Sequence, residues 1–179
     1  MRGTKGATAI ADYIYEQAER MVRRFGTRDP FEIARHLDVD ITFRNDFKKL
    51  KGMYVVVKNQ RFIYLNAVLP PRLHRVVCAH ELGHDANHRK LAANAALREY
   101  MLYDMTSKPE YEANLYAAHL LLDEGDLLEY AEDGLNVQQI AEAMDTDINL
   151  LLIKMNAMNC KGYNFDLPYL PPSNFLGKE

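Results

Sequence analysis

The chain has 179 residues, of which 48% are hydrophobic and 26% charged, and it carries a formal net charge of −3. A chain of this length builds one hydrophobic core without disulfide or metal staples, and its two cysteines, Cys78 and Cys160, make no disulfide framework, which points to a reduced, cytoplasmic compartment. The longest apolar run, Met53–Val57, is too short for a bilayer, the first twenty residues lack a signal-peptide profile, and collagen, coiled-coil, secreted-scaffold and disordered classes are excluded.

Charge is unevenly spread. Residues 1–75 carry fifteen Lys and Arg against eight Asp and Glu, whereas residues 123–159 carry nine acids and one base, Lys154.

In chain order, Ile10, Tyr13, Ile14, Met21, Val22 and Phe25 recur at helical spacing, which predicts an amphipathic helix over 7–25 ended by Gly26. Asp29-Pro30-Phe31-Glu32 is a helix start, with Asp29 as cap and Pro30 in the first turn, opening a short helix to Leu37. Three β-branched or aromatic runs follow: Ile41–Phe43, Met53–Val57 and Phe62–Leu65, the last two joined across Lys58–Arg61 as a hairpin. With no helix between them they predict a small three-stranded antiparallel sheet. Arg61–Leu65 is expected to offer an exposed edge to which an extended peptide substrate could add.

After Pro70-Pro71 a helix is predicted from Arg72 to His88, and a second from the capping box Ser107-Lys108-Pro109-Glu110 to about Leu122. Two or three short helices fill 124–158. The aromatic, proline-rich end from Tyr163 should lie extended. The expected organisation is therefore a core over 1–122, an acidic helical lobe over 123–162 that scans like a helix-turn-helix, and a tail over 163–179. Phosphate neutralisation dominates DNA affinity, so a lobe this acidic is not expected to touch DNA.

One constellation carries chemistry: His80-Glu81-Leu82-Gly83-His84. On a helix, residues four apart advance about 400° around and ~6 Å along, so both imidazoles can reach one cation. Glu81 stands one residue on, placed to take a proton from water at that cation as general base. A catalytic zinc takes three protein ligands and keeps one open position, so a third ligand is required. His88 continues the 80, 84 row but lies ~12 Å along the axis from His80. A third histidine six residues after the second is absent, since Lys90 stands there. An acid from the later helix remains. Glu110 and Glu112 are ~200° apart, so only one can face the cation. Glu110 has a capping job, which leaves Glu112 as the expected ligand. His119 shares the Glu112 face and could donate to a developing oxyanion; Asp85 and His88 could hold the ligating histidines.

His80-Glu81-Leu82-Gly83-His84-Asp85 together with Tyr111-Glu112-Ala113-Asn114-Leu115-Tyr116-Ala117-Ala118-His119-Leu120-Leu121-Leu122 resembles the ImmA/IrrE family of metallo-endopeptidases, proteins often carried by phages or mobile elements. The resemblance implies a zincin-like α+β fold of gluzincin type. It implies zinc on His80, His84 and Glu112, with Glu81 as base. It further implies cleavage of a helix-turn-helix repressor encoded nearby. Members commonly carry Pro after the Leu-Leu run; here Asp123-Glu124 follows. The competing reading is a non-proteolytic anti-repressor that keeps the fold and sequesters its partner.

Overall fold

Lys58 and Asn59 both adopt positive φ, 50° and 66°, the backbone that a two-residue hairpin turn demands because it matches the strands' twist. The computed structural model, which describes residues 3–169, builds its sheet outward from that turn. Strands β1 (Val39–Arg44), β2 (Gly52–Val57) and β3 (Gln60–Asn66) are joined by a short β4 (Leu97–Glu99), in the order β1-β3-β2-β4.

The sheet corrects the expectation in three respects. It has four strands, and β1 runs parallel to β3, with Ile41 opposite Ile63, while β2 is antiparallel to both β3 and β4. Residues 45–51 carry the chain past β3, so β1 pairs with the far side of the hairpin rather than with β2. Consequently β3 is a central strand and Arg61–Leu65 offers no free edge; the outer strands are β1 and β4. β4 is three residues long, too short to show a period of two.

The helices are α1 (Gly3–Phe25), α2 (Pro30–His36), α3 (Pro71–Asn87), α4 (Arg89–Asn94), α5 (Lys108–Leu121), α6 (Glu124–Glu132), α7 (Val137–Ala143) and α8 (Ile148–Cys160). Their starts follow the capping chemistry of the sequence. Asp29 accepts from the Phe31 amide, Ser107 from Glu110, Asp123 from Gly125 and Asp126, and Asn136 closes a full capping box with Gln139. Asp123 thus starts α6.

α3 lies between sheet and helices. Its residues Val76 to Asp85 are all buried, and α5 packs along it with Ala113, Leu115, Tyr116, Ala117 and Ala118 almost inaccessible. Gly83 allows that approach, since a Cβ there would stand 2.9 Å from the Ala113 Cα. α1 and α8 cover the far side of α5, and Leu127, Ile140, Leu150, Leu151 and Met158 join the same apolar core as Ile14, Ile63 and Val77. Arg28 ties the end of α5 in place. It donates to the carbonyls of His119 and Leu120 and pairs with Glu19 and Asp123. Residues 163–169 run without helix or strand, and Asn159 exchanges two hydrogen bonds with the Phe165 backbone. The expected tail beyond Tyr169 lies outside the described residues.

Candidate metal centre

His80 and His84 share one face of α3, as their spacing requires, with Nε2 atoms 3.1 Å apart and both residues 2% exposed. The carboxylate that meets them is Glu110. Its Oε2 stands 3.1 Å from His80 Nε2 and its Oε1 3.6 Å from His84 Nε2. One donor atom from each of the three residues lies within 4.8 Å of the others, close enough to share a cation.

Glu112, the residue expected there, is elsewhere. Its Oε2 is 2.9 Å from His88 Nε2 and its Oε1 3.6 Å from Lys108 Nζ. The capping-box argument misled for a definable reason. Ser107 accepts from the Glu110 backbone amide, and this leaves the Glu110 side chain free to turn toward α3. Capping engages the main chain at that position; only a reciprocal box would also engage the carboxylate.

The other expected residues divide. His88 does hold a histidine of the pair, its Nδ1 being 3.0 Å from His84 Nδ1. Asp85 does not. It lies 100° on from His84 and faces the sheet, where it accepts from Tyr54 Oη at 2.7 Å and pairs with Arg61 and Arg89. Arg61 also donates to the Leu37 carbonyl. His119 faces away as well. Seven residues after Glu112 it shares that side of α5, roughly opposite Glu110, and its Nδ1 is 3.1 Å from the buried ammonium of Lys154, with the Tyr15 ring edge-on. Burial and the neighbouring charges of Lys154, Lys161 and Arg28 push His119 well below its ordinary pKa, so it sits there as a neutral acceptor.

Two further residues, which sequence reasoning did not single out, complete the centre. Asn114, one turn beyond Glu110, gives its Nδ2 hydrogen to the Asp104 carbonyl and so turns Oδ1 to His80 Nδ1 at 3.1 Å. Glu99 of β4 brings Oε2 to 2.9 Å from His80 Nε2. An asparagine four residues after a glutamate, on the same face of the helix, could have been read as a histidine partner from helical spacing. A lone acid on a three-residue strand could not.

Electrostatics follow from this crowding. Burial alone would lower His80, but the carboxylates of Glu110 and Glu99 override it and hold the imidazole well above its usual pKa. Burial, helped by the positive charge of His80 and His88, lowers His84 to about 4 against the pull of Glu110. Glu110 is held well below the carboxylate range, its burial being outweighed by both histidines. Glu81 is different. It is fully buried, neither oxygen has a hydrogen-bond partner, and desolvation pushes its carboxyl well above the ordinary range, with Glu99 and Glu110 adding to the push. Buried unpaired carboxylate oxygens are rare enough that each asks for a role. Two imidazole nitrogens, one carboxylate and an idle acid beside them fit a divalent cation attended by a base.

Residues 34–166 match the IrrE N-terminal-like domain family, peptidase M78. The chain belongs to that family. It is also similar to an uncharacterized immunity region protein 2 of Bacillus phage phi105, at 28% identity over 123 residues, covering 69% of this chain and 77% of the relative. The M78 match spans the sheet, α3 and α5, so every residue of the centre falls inside it. No described helix of this M78 chain is long and apolar enough to cross a membrane.

Proposed function

We propose that this M78 chain is a zinc-dependent endopeptidase, acting in the cytoplasm on a helix-turn-helix repressor. The observation that carries the reading is the convergence of His80, His84 and Glu110 beside the buried, unpaired Glu81. The donor set is the one a catalytic zinc takes, and the ion bound there would lower the pKa of water to about 7 and polarise a peptide carbonyl. Glu81 supplies the proton chemistry. Its raised affinity for a proton suits it to take one from the attacking water and pass it to the amide nitrogen as the C–N bond breaks, a contribution of ~10²–10⁴ in rate. Asn114 and His88 orient the histidines from behind, and Glu110 carries the negative charge that a cation neutralises.

The repressor as substrate is supported by the family resemblance and by a relative named for a phage immunity region. The α7–α8 pair is read as a packing unit rather than a DNA reader, since its one base, Lys154, is fully buried. The test mixes the zinc-loaded protein with the helix-turn-helix protein encoded beside it and looks for new termini by mass spectrometry. Cleavage that is lost with Glu81→Gln and with chelator supports the endopeptidase. An intact repressor, released equally by wild type and by Glu81→Gln, identifies a sequestering anti-repressor instead.

A further inference from the structure

We propose that Glu112 and His88 are positioning residues that fix which nitrogen of His84 faces the cation, an inference that rests on the metal reading above. The argument is a count of hydrogens along one line of atoms. The Glu112 carboxylate only accepts, so His88 Nε2, 2.9 Å away, carries the hydrogen of that ring. His88 Nδ1 is then bare and can only accept from His84 Nδ1 at 3.0 Å. His84 therefore keeps its hydrogen on Nδ1 and turns a bare Nε2 toward His80 Nε2 and Glu110. The reverse arrangement would set two bare Nδ1 lone pairs against each other.

The line is built to hold its shape. His88 is the residue that caps α3, it is 6% exposed, and its amide bonds back to the His84 carbonyl. Lys108 holds the outer oxygen of Glu112. Asn114 performs the same office for His80 directly, so α5 supplies residues 110, 112 and 114 to one centre in three capacities. Carboxylates behind ligating histidines typically alter metal affinity 10–100-fold when removed.

The experiment measures zinc affinity by chelator competition and the protonated nitrogen of each imidazole by ¹⁵N chemical shift, using the full chain. Glu112→Ala should weaken zinc ~10–100-fold, and Glu112→Gln, whose amide oxygen still accepts, should recover most of it. His88 should show hydrogen on Nε2 and His84 on Nδ1 in the wild type, with the His88 signal moving in Glu112→Ala. A purely structural clamp would leave those tautomers unchanged. His84→Ala serves as the reference. If it retains tight zinc, the metal reading itself fails. If it loses zinc while Glu112→Ala and His88→Ala stay within about threefold of wild type, or if wild-type His88 carries its hydrogen on Nδ1, the positioning role is overturned.

Discussion

Gly52 of β2 lies against the carboxyl of Glu81: a Cβ at that position would stand 2.4 Å from Glu81 Oε1 and 2.4 Å from Val77 Cγ1. The sheet is thus the floor on which the Glu81 carboxyl rests, and glycine is the residue that leaves room for it. Glu81 cannot retreat into α3, where its neighbours Val77, Leu82 and Gly83 are themselves buried.

On the proposed reading, Gly52→Ala is therefore expected to act on Glu81 and to spare His80, His84 and Glu110. Peptide cleavage should fall ~10²-fold or more, in the range of a lost general base, while zinc affinity should stay close to wild type because the atoms nearest the added Cβ belong to Glu81 and Val77 rather than to His80, His84 or Glu110. Parallel measurement of chelator competition and cleavage rate checks this. A variant that cleaves normally would show that Glu81 has slack which the packing does not suggest.

Gly83 makes the complementary prediction. Its missing Cβ lets α3 and α5 approach, with Ala113 Cα at 2.9 Å and its carbonyl oxygen at 3.0 Å from where that carbon would be. Backbone cannot yield as a flexible side chain can, so Gly83→Ala should push the helices apart. Overpacking of this kind costs about 1–3 kcal/mol, readable in a urea titration. Because Glu110 rides on α5 and the histidines on α3, zinc should bind more weakly in the same variant, unlike Gly52→Ala.

The contrast shows what the sequence could and could not convey. Two helix starts were legible because capping is local: Asp29 and Ser107 act within three residues of themselves. The facing of His80 and His84 was legible because helical geometry alone sets it. The choice between Glu110 and Glu112 was not, because it depends on the rotation of α5 against α3, which the Gly83–Ala113 contact fixes. β1's parallel pairing was equally hidden, since periodicity reports which residues alternate but not which neighbour receives them. Glu99 reaches the centre through three residues of edge strand, a length at which no pattern is distinguishable from chance.

Asp85 illustrates a residue whose importance is structural although it adjoins the motif. It is 1% exposed and gathers the Tyr54 hydroxyl, Arg61 and Arg89 at 2.7 to 3.1 Å. Its hydrogen bond and charge, after burial as the first cause, raise the Tyr54 hydroxyl far above the ordinary phenol range, so that Tyr54 stays a donor. Asp85→Ala would leave a buried hydroxyl and two guanidinium groups without their common acceptor. Loss of about 3 kcal/mol is expected, with Asp85→Asn costing less because one acceptor remains. Denaturant unfolding at neutral pH measures both; equal, small losses would mean that water replaces the carboxylate freely.

Lys154 supplies a prediction of pH dependence away from the centre. Its side chain is fully buried on α8, 3.1 Å from His119 Nδ1 and 3.7 Å from Glu124 Oε2. Burial lowers the ammonium to about 8 from its ordinary 10.5, despite the opposing pull of Glu124 and Glu19. Below pH 8 both folded and unfolded chains hold the proton, and the cost of burying the charge is constant. Between pH 8 and 10.5 the unfolded chain keeps a proton that the folded chain has released, so the residue's contribution to stability rises with pH. The slope can reach about 1.4 kcal/mol per pH unit. Cys78, whose buried thiol is pushed well above its usual value of 9.0, contributes in the opposite sense above that pH, so the effect must be read as a difference. The stability of wild type minus that of Lys154→Met, taken from urea unfolding at intervals from pH 7 to pH 10, should be flat to about pH 8 and then climb by about 2 kcal/mol. Two curves that remain parallel across the range would mean that the ammonium keeps its proton inside the fold, with Glu124 and His119 solvating it more fully than their distances imply.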